Sequence, residues 1–168
     1  MAGERKTTIE CVNRVTVEIE APVSIRALED TSGRVTADLA FLPFEPINFL
    51  EILNYGTGIV DAKVNALAVH MEARTGAIKA TGQAEYLSVV QRTDAELDLT
   101  GLEAESAHAR VHQAYDESDH GKERGAVKVH VKKSLLVTFE EKGSVGYKGT
   151  PTIGENDYEG GKVFELSE

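Results

Sequence analysis

The sequence is poor in the residues that crosslink small proteins or bind nucleic acid. It contains one cysteine, no tryptophan and more acidic than basic residues, for a formal net charge of -10. Because Cys11 stands alone, an intramolecular disulfide and a thiolate metal cluster are both excluded. Nucleic-acid-binding surfaces are usually basic, so the charge argues against this class of partner. We therefore expect no direct sequence-specific binding of nucleic acid.

Long apolar runs are also missing. No window approaches the roughly 18 apolar residues of a membrane-spanning helix, so we expect no membrane insertion. The first residues, MAGERKTTIE, carry charges but no apolar segment typical of a signal peptide. The expectation is synthesis in the cytoplasm, with a place in a virion or a secreted assembly left open.

Alternation of apolar and polar residues dominates what the sequence does contain. Residues 8–20, 23–29 and 34–41 each show a period of two and follow one another at short spacing, which is typical of an antiparallel meander. The clearest strand covers 126–140, where Val127 begins a run of alternating aliphatic residues. These patterns predict a mainly β protein, an antiparallel β-sandwich or barrel.

Two segments favour helix instead. Residues 46–54 start with Pro46, which a first helical turn tolerates, and are followed by Gly56, which suits a helix cap. Residues 102–117 are rich in Ala, Glu and Leu, which favour helix, although their apolar positions also fit a strand. We predict a short apolar helix at 46–54 and keep a second helix at 102–117 as the favoured of two readings.

Residues 59–90 are interpreted as a long hairpin turning at Arg74-Thr75-Gly76. Its first strand is apolar on both faces, because Ala62 and Val64 lie on one face and Leu67 and Val69 on the other. A strand of this kind is covered on both sides, by its own fold or by another subunit.

The last 26 residues differ in composition from the rest. Residues 143–168 are rich in glycine and carry Tyr147, Tyr158 and Phe164. We therefore divide the chain into a single β-rich domain at 1–142 and a Gly-rich C-terminal arm at 143–168. The arm is either disordered or docked through its aromatic side chains, and the aromatics favour docking.

No catalytic or cofactor motif is found. His108, His112, Asp116 and His120 recur at intervals of four and would be neighbours on a helix, which makes them weak candidates for metal ligands. A solvated polar stripe is the favoured reading of this pattern. We therefore expect no enzyme, no cofactor and no bound metal.

The predicted function is assembly with copies of itself. Three features favour it: the hairpin that is apolar on both faces, the aromatic C-terminal arm, and the basic face of the strand at 126–140, which carries Lys128, His130 and Lys132. The order of helix, long hairpin and return strand over residues 35–100 resembles tail-tube subunits of phages and of phage-derived injection systems. We predict an acidic, soluble structural protein that builds a homo-oligomeric ring, tube or shell, a role that the resemblance also implies. Candidate interface residues are Leu67, Val69, Met71, Lys128, His130, Lys132, Tyr147, Tyr158 and Phe164.

Two alternatives come from other classes of protein. A β-barrel could bind a small apolar ligand, since Ala80, Gly82 and Ala84 would leave room inside it. A metal-dependent enzyme using the histidine stripe is the less favoured alternative.

Overall fold

Eleven strands make up the part of the chain that the structure describes. The structure, a computed structural model, describes residues 5–11, 23–29, 34–39, 47–54, 57–114 and 116–167. The strands are β1 Arg5–Cys11, β2 Val23–Glu29, β3 Arg34–Leu39, β4 Ile47–Asn54, β5 Ile59–Ala73, β6 Ala77–Gln91, β7 Leu97–Val111, β8 Val127–Phe139, β9 Ser144–Lys148, β10 Thr152–Asp157 and β11 Lys162–Glu165. A single 3₁₀ turn, Glu117–Asp119, lies between β7 and β8.

Every pairing between these strands is parallel, and the chain winds into a β-solenoid of about 6 turns. The prediction of an antiparallel sandwich or barrel is therefore wrong. A period of two identifies a strand with one buried face, but it carries no information on strand direction. Because the described strands form a parallel solenoid, they do not enclose the barrel interior that the small-ligand alternative requires.

Each long strand passes around a corner of the solenoid at its middle. The leading half of β5 pairs with β3 and the trailing half pairs with β4. In the same way, β8 pairs with β9 through its leading half and with β10 through its trailing half. Each turn of the solenoid thus contributes one half-strand to each of two faces. Arg74–Gly76 connects β5 to β6, which pair in parallel, and does not close a hairpin.

The corner explains why β5 looks apolar on both faces. Its inward residues are Ala62, Val64 and Ala66 before the corner and Val69 and Met71 after it. The parity of the buried positions changes at Leu67 and Ala68, which are half-buried. Both sets face the same interior, so the interpretation of a strand covered on two sides is wrong.

The interior consists of aliphatic rows that run along the solenoid axis. One row aligns Leu50, Val69, Leu87, Ala107 and Leu135 in successive turns. Each of these side chains is at most 4% exposed. Burying each of the larger aliphatic side chains stabilises the fold by about 1.5–3 kcal/mol. The stacking of aliphatic residues on aliphatic residues of the next turn therefore keeps successive turns in register.

Both predicted helices are wrong. Residues 47–54 form β4 and residues 97–111 form β7, and no described residue lies in an α-helix. In β4, Leu50 and Ile52 are buried by stacking on Val69 and Met71. Tertiary burial on the neighbouring turn outweighs local helix propensity, which amounts to a few tenths of a kcal/mol per residue. In the part of the chain that the structure describes, no helix is long and apolar enough to cross a membrane.

Buried amides hold the links between turns. Asn54 Nδ2 donates to the carbonyls of Gly58 and Ala77 at 2.9 Å each. Gln91 Nε2 donates to the carbonyls of Ala95 at 2.6 Å and Gly125 at 3.2 Å. Both side chains are fully buried, and each amide nitrogen is satisfied by two backbone carbonyls.

The C-terminal residues continue the solenoid. Strands β9 and β10 pair with β8, and β11 pairs with β9. The proposed division at residue 143 stays a prediction, although β9 to β11 are hydrogen-bonded into the same sheet as the rest.

Candidate functional site

One face of the solenoid carries charges that neutralise one another. Asp61, Lys79, Asp98 and Lys128 occupy one outward row on the leading halves of β5 to β8 and alternate in sign from strand to strand. Opposite charges on adjacent strands contribute about 0.2–1 kcal/mol per pair. Burial opposes ionisation of Asp98, but hydrogen bonds from Thr100 outweigh it and lower the pKa of that carboxyl. We call this surface the charged face.

The corner between the two faces forms a groove of about 680 Å³. Its cations are already paired, since Lys132 Nζ lies 2.5 Å from Glu103 Oε1 and Lys133 Nζ lies 2.8 Å from Glu105 Oε2. The Glu103 contact raises the pKa of Lys132. The groove therefore has no uncompensated charge among these four groups with which to attract an ionic ligand.

The other face has a different chemistry. We define the hydroxyl face by two outward rows on β4 to β8 and β10. The row beside the corner contains Phe49, Ala68, Tyr86, Ser106, Ser134 and Thr152. The next row contains Glu51, His70, Ser88, His108, Leu136 and Gly154. Between Phe49 and Gly154, where the side chains are described, Glu51 is the one carboxylate of these rows and neither row has a lysine or arginine.

The two imidazoles of the hydroxyl face are held neutral. Burial lowers the pKa of His70 despite the nearby carboxylates of Glu51 and Glu72. Burial, assisted by the Arg110 guanidinium, lowers the pKa of His108. Each ring also contacts a hydroxyl oxygen, because His70 Nδ1 is 3.1 Å from Ser88 Oγ and His108 Nε2 is 3.0 Å from Thr138 Oγ1. A neutral imidazole offers both a donor and an acceptor.

Apolar side chains interrupt this polar surface at a few points. Tyr86 is 45% exposed and Phe49 is 36% exposed, both in the row beside the corner. Leu136 and Ile153, each 39% exposed, line a depression of about 370 Å³ together with Tyr86 and His108. Ser134 Oγ donates to Ser106 Oγ at 2.9 Å beside this depression. The arrangement offers aromatic contact and uncharged hydrogen bonding.

The structure does not bring the four metal candidates together. His108 points outward from β7, and along an extended strand residues four apart are separated by about 13 Å. His112 Nε2 lies 2.8 Å from Glu140 Oε2, while Asp116 caps the 3₁₀ turn and His120 Nε2 lies 3.1 Å from the carbonyl of Ala114. Among the described residues, no group of three or more His, Cys, Asp or Glu side chains could hold a metal ion.

The candidate interface residues are spread over the molecule. Val69 and Met71 lie in the interior, at most 1% exposed. Leu67 and Lys132 line the corner groove, and Lys128 and His130 lie on the leading half of β8. Tyr147 packs against the core, whereas Tyr158 and Phe164 are exposed near the C-terminal end. Their role as an interface stays a prediction.

Sequence reasoning missed the hydroxyl face. A straight strand places all even positions on one side, so Tyr86 would lie on the same side as Ala80 and Ala84, which the barrel alternative places inside. The change of buried parity between Ala84 and Leu87 was the signal that could have revealed a corner. With that corner in place, Tyr86 points outward and Leu87 inward.

Comparison with known proteins gives one match. The family model described as "Putative auto-transporter adhesin, head GIN domain" matches residues 3–151, most of the chain. No curated protein and no solved structure matches. The match gives no support to the tail-tube resemblance, and the parallel solenoid replaces the helix and hairpin on which it rested. The expectations of a β-sandwich and of a tail-tube-like or virion-like subunit are therefore wrong.

Proposed function

We propose a function from one premise: the chain belongs to the head GIN domain family that is described with auto-transporter adhesins. We infer that it is a non-enzymatic recognition module that attaches to a partner surface through the hydroxyl face. The family description supplies the class of function, and the surface chemistry supplies the location.

The observation that carries the proposal is the exposure of Tyr86. A tyrosine that is 45% exposed in the middle of a flat row, between Ala68 and Ser106, contacts solvent where a partner can reach it. Tyrosine is enriched at recognition surfaces because it combines a large apolar ring with a hydroxyl. The charged face, in contrast, carries outward charges that alternate in sign, and Lys128 Nζ lies 2.7 Å from Glu96 Oε2.

The solenoid suits attachment because it holds the face rigid. The inward rows beneath Tyr86 and Ser106 are fully packed, with Leu87 and Ala107 at most 4% exposed. A recognition surface that is ordered before binding loses little conformational entropy when it binds. Catalysis would need groups that converge on a reacting atom, and the absence of enzymatic activity stays a prediction.

Adhesion of coated particles tests the proposal. Beads carrying the protein are flowed over surfaces of a neutral polysaccharide, mucin, collagen, DNA and anionic lipid vesicles, and retention is counted. We expect retention on at least one surface and its loss in Tyr86→Ala/Leu136→Ser. The matched control is Tyr158→Ala, which removes a tyrosine that is 72% exposed outside the hydroxyl face.

Two results would reject the hydroxyl face as the site of attachment. One is equal retention of the double variant and the wild-type protein. The other is a comparable loss in the Tyr158→Ala control, which would trace adhesion to the C-terminal end.

Self-association stays a separate prediction. Strand β10 forms the end of the trailing face, and Glu155 and Asp157 occupy the register positions of the buried Val137 and Phe139. Charged residues in the inward rows of an edge strand oppose the addition of a further strand. Native mass measurement tests whether copies of the chain associate elsewhere.

A further inference from the structure

We propose that the hydroxyl face binds an uncharged linear glycan that lies along the rows, across the strands. This inference rests on the proposed function and adds the chemical class of the ligand. It follows from four properties of the face: its shape, the spacing of its aromatic rings, its hydroxyl groups and the lack of lysine and arginine in the described part of its two rows.

The shape excludes most protein partners. From Phe49 to Thr152 the row crosses six strands, so it is about 24 Å long, and the second row lies about 7 Å beside it. The resulting strip covers on the order of 200 Å², against about 800 Å² per partner in a stable protein–protein interface. A long narrow strip fits one extended polymer chain.

The aromatic rings are placed for contact with such a chain. Phe49 and Tyr86 lie in one row two strands apart, a separation of about 10 Å. The residue between them is Ala68, whose methyl group is too small to block access to either ring. Sugar rings carry apolar C–H faces that can cover an aromatic ring while their hydroxyls stay available for hydrogen bonds.

Hydroxyl-bearing side chains continue along the same direction. Ser106, Ser134 and Thr152 follow Tyr86 at intervals of one strand, with Ser88 and His108 in the neighbouring row. Each hydroxyl both donates and accepts, and a neutral imidazole does the same. A polymer that repeats its hydroxyl groups along its length matches this periodic supply of partners.

The lack of basic side chains in the described part of these rows, where Glu51 is the one charged residue, narrows the ligand class further. Nucleic acids and anionic lipids are bound through lysine and arginine clusters, which the described part of the two rows lacks. Extended peptides are usually recognised by hydrogen bonding to a sheet edge, not by lying across its face. Leu136 and Ile153 add apolar contact near one end of the strip, where a C–H face of a further sugar unit would lie.

Titration calorimetry tests the assignment. The probes are hexasaccharides of β-1,4-glucan, β-1,3-glucan and α-mannan, with oligogalacturonate as the charged comparison. We expect at least one neutral hexasaccharide to bind with Kd below about 1 mM and oligogalacturonate to bind more weakly. Tyr86→Ala should weaken binding by roughly tenfold, Tyr86→Phe should retain most of it, and Tyr158→Ala should leave it unchanged.

Failure of this inference can be separated from failure of the proposed function. No binding by any neutral hexasaccharide, or equal binding by Tyr86→Ala, would overturn the glycan assignment. Adhesion to a mucin surface can then be repeated after mild periodate, which destroys vicinal diols, and after protease. Adhesion that survives periodate but depends on Tyr86 would keep the recognition module and reject the glycan, whereas Tyr86-independent adhesion would reject both. Thermal unfolding of each variant checks that the fold is intact.

Discussion

Gly161 lies directly against the ring of Phe139, so closely that a Cβ at residue 161 would collide with the ring atoms. Phe139 is fully buried although it stands at the end of β8, near the C-terminal end of the solenoid. The turn that brings Gly161 over the ring is held by Asp157, whose Oδ1 accepts hydrogen bonds from the backbone amides of Glu159, Gly160 and Gly161. These hydrogen bonds outweigh desolvation and lower the pKa of the Asp157 carboxyl. The glycine thus covers the buried ring of Phe139 with backbone.

The first prediction concerns this closure. Gly161→Ala should destabilise the protein by about 2 kcal/mol, because an added methyl group in a filled space forces the turn off Phe139. Urea unfolding gives the free energy. Gly154→Ala is the control, since its Cβ would meet only the Leu136 side chain at 3.3 Å and that side chain can shift. Equal stability of the two variants would contradict the described contact.

The second prediction concerns the close approach of β6 to β5 at Gly82. Gly82 has φ of 115°, and a Cβ there would collide with the carbonyl of Val64 on the preceding turn. Gly82→Ala should therefore cost more than about 2 kcal/mol, since strain and collision add. Gly121 also has positive φ, at 77°, but open space around it, so Gly121→Ala should cost about 1 kcal/mol. Chemical denaturation measures the free energy of unfolding of both variants. A similar loss of stability in both would contradict the close approach of Gly82 to the Val64 carbonyl.

The third prediction concerns a buried amide. Gln91 is fully buried and donates to carbonyls of Ala95 and Gly125. Gln91→Met keeps the volume but leaves these carbonyls without that donor, which should cost about 1–3 kcal/mol. Differential scanning calorimetry measures the change. An unchanged Tm would mean that water replaces the amide without loss.

The fourth prediction concerns pH. Burial lowers the folded-state pKa of His70, His108 and His112 below the ordinary 6.5. The unfolded chain therefore binds more protons than the folded one below that value, and stability must fall as pH drops through 6.5 toward the folded-state pKa values. Denaturant midpoints measured between about pH 5.5 and 7.5 should decrease toward the lower pH. This pH range lies above the pKa values of ordinary carboxylates.

His112 provides a matched test of that slope. Its Nδ1 must accept from Arg92, 2.7 Å away, because arginine has no acceptor, so Nε2 carries the proton toward Glu140 at 2.8 Å. Protonation of Nδ1 would break the Arg92 contact and place two cations together. Glutamine at 112 can accept and donate without titrating, so His112→Gln should flatten the slope. If the variant has the same slope as the wild-type protein, groups other than His112 cause the pH dependence.

The strands could be predicted from the sequence far better than the way they stack. Residues 126–140 were predicted as a strand, and β8 covers Val127–Phe139, because alternation reports burial of one face. Strand direction and corners depend on what lies one turn away, between 18 residues (Val69 to Leu87) and 28 residues (Ala107 to Leu135) along the chain. The aromatic and hydroxyl rows emerge only when Phe49, Tyr86 and Ser106 are brought into one line by stacking. Their sequence spacings of 37 and 20 residues, read directly from their numbers, carry no short-range signature.

Parallel stacking also sets how the molecule comes apart. Each turn from β5 to β8 gains its burial from the turns before and after it, so its stability is a sum of nearest-neighbour interfaces, as in other repeat proteins. A turn at an end has one such interface and an inner turn has two. Amide hydrogen exchange should therefore rise from β7 toward β10 and β11, the last strands that the structure describes. The contact between Gly161 and Phe139 should slow amide hydrogen exchange in this part of the solenoid.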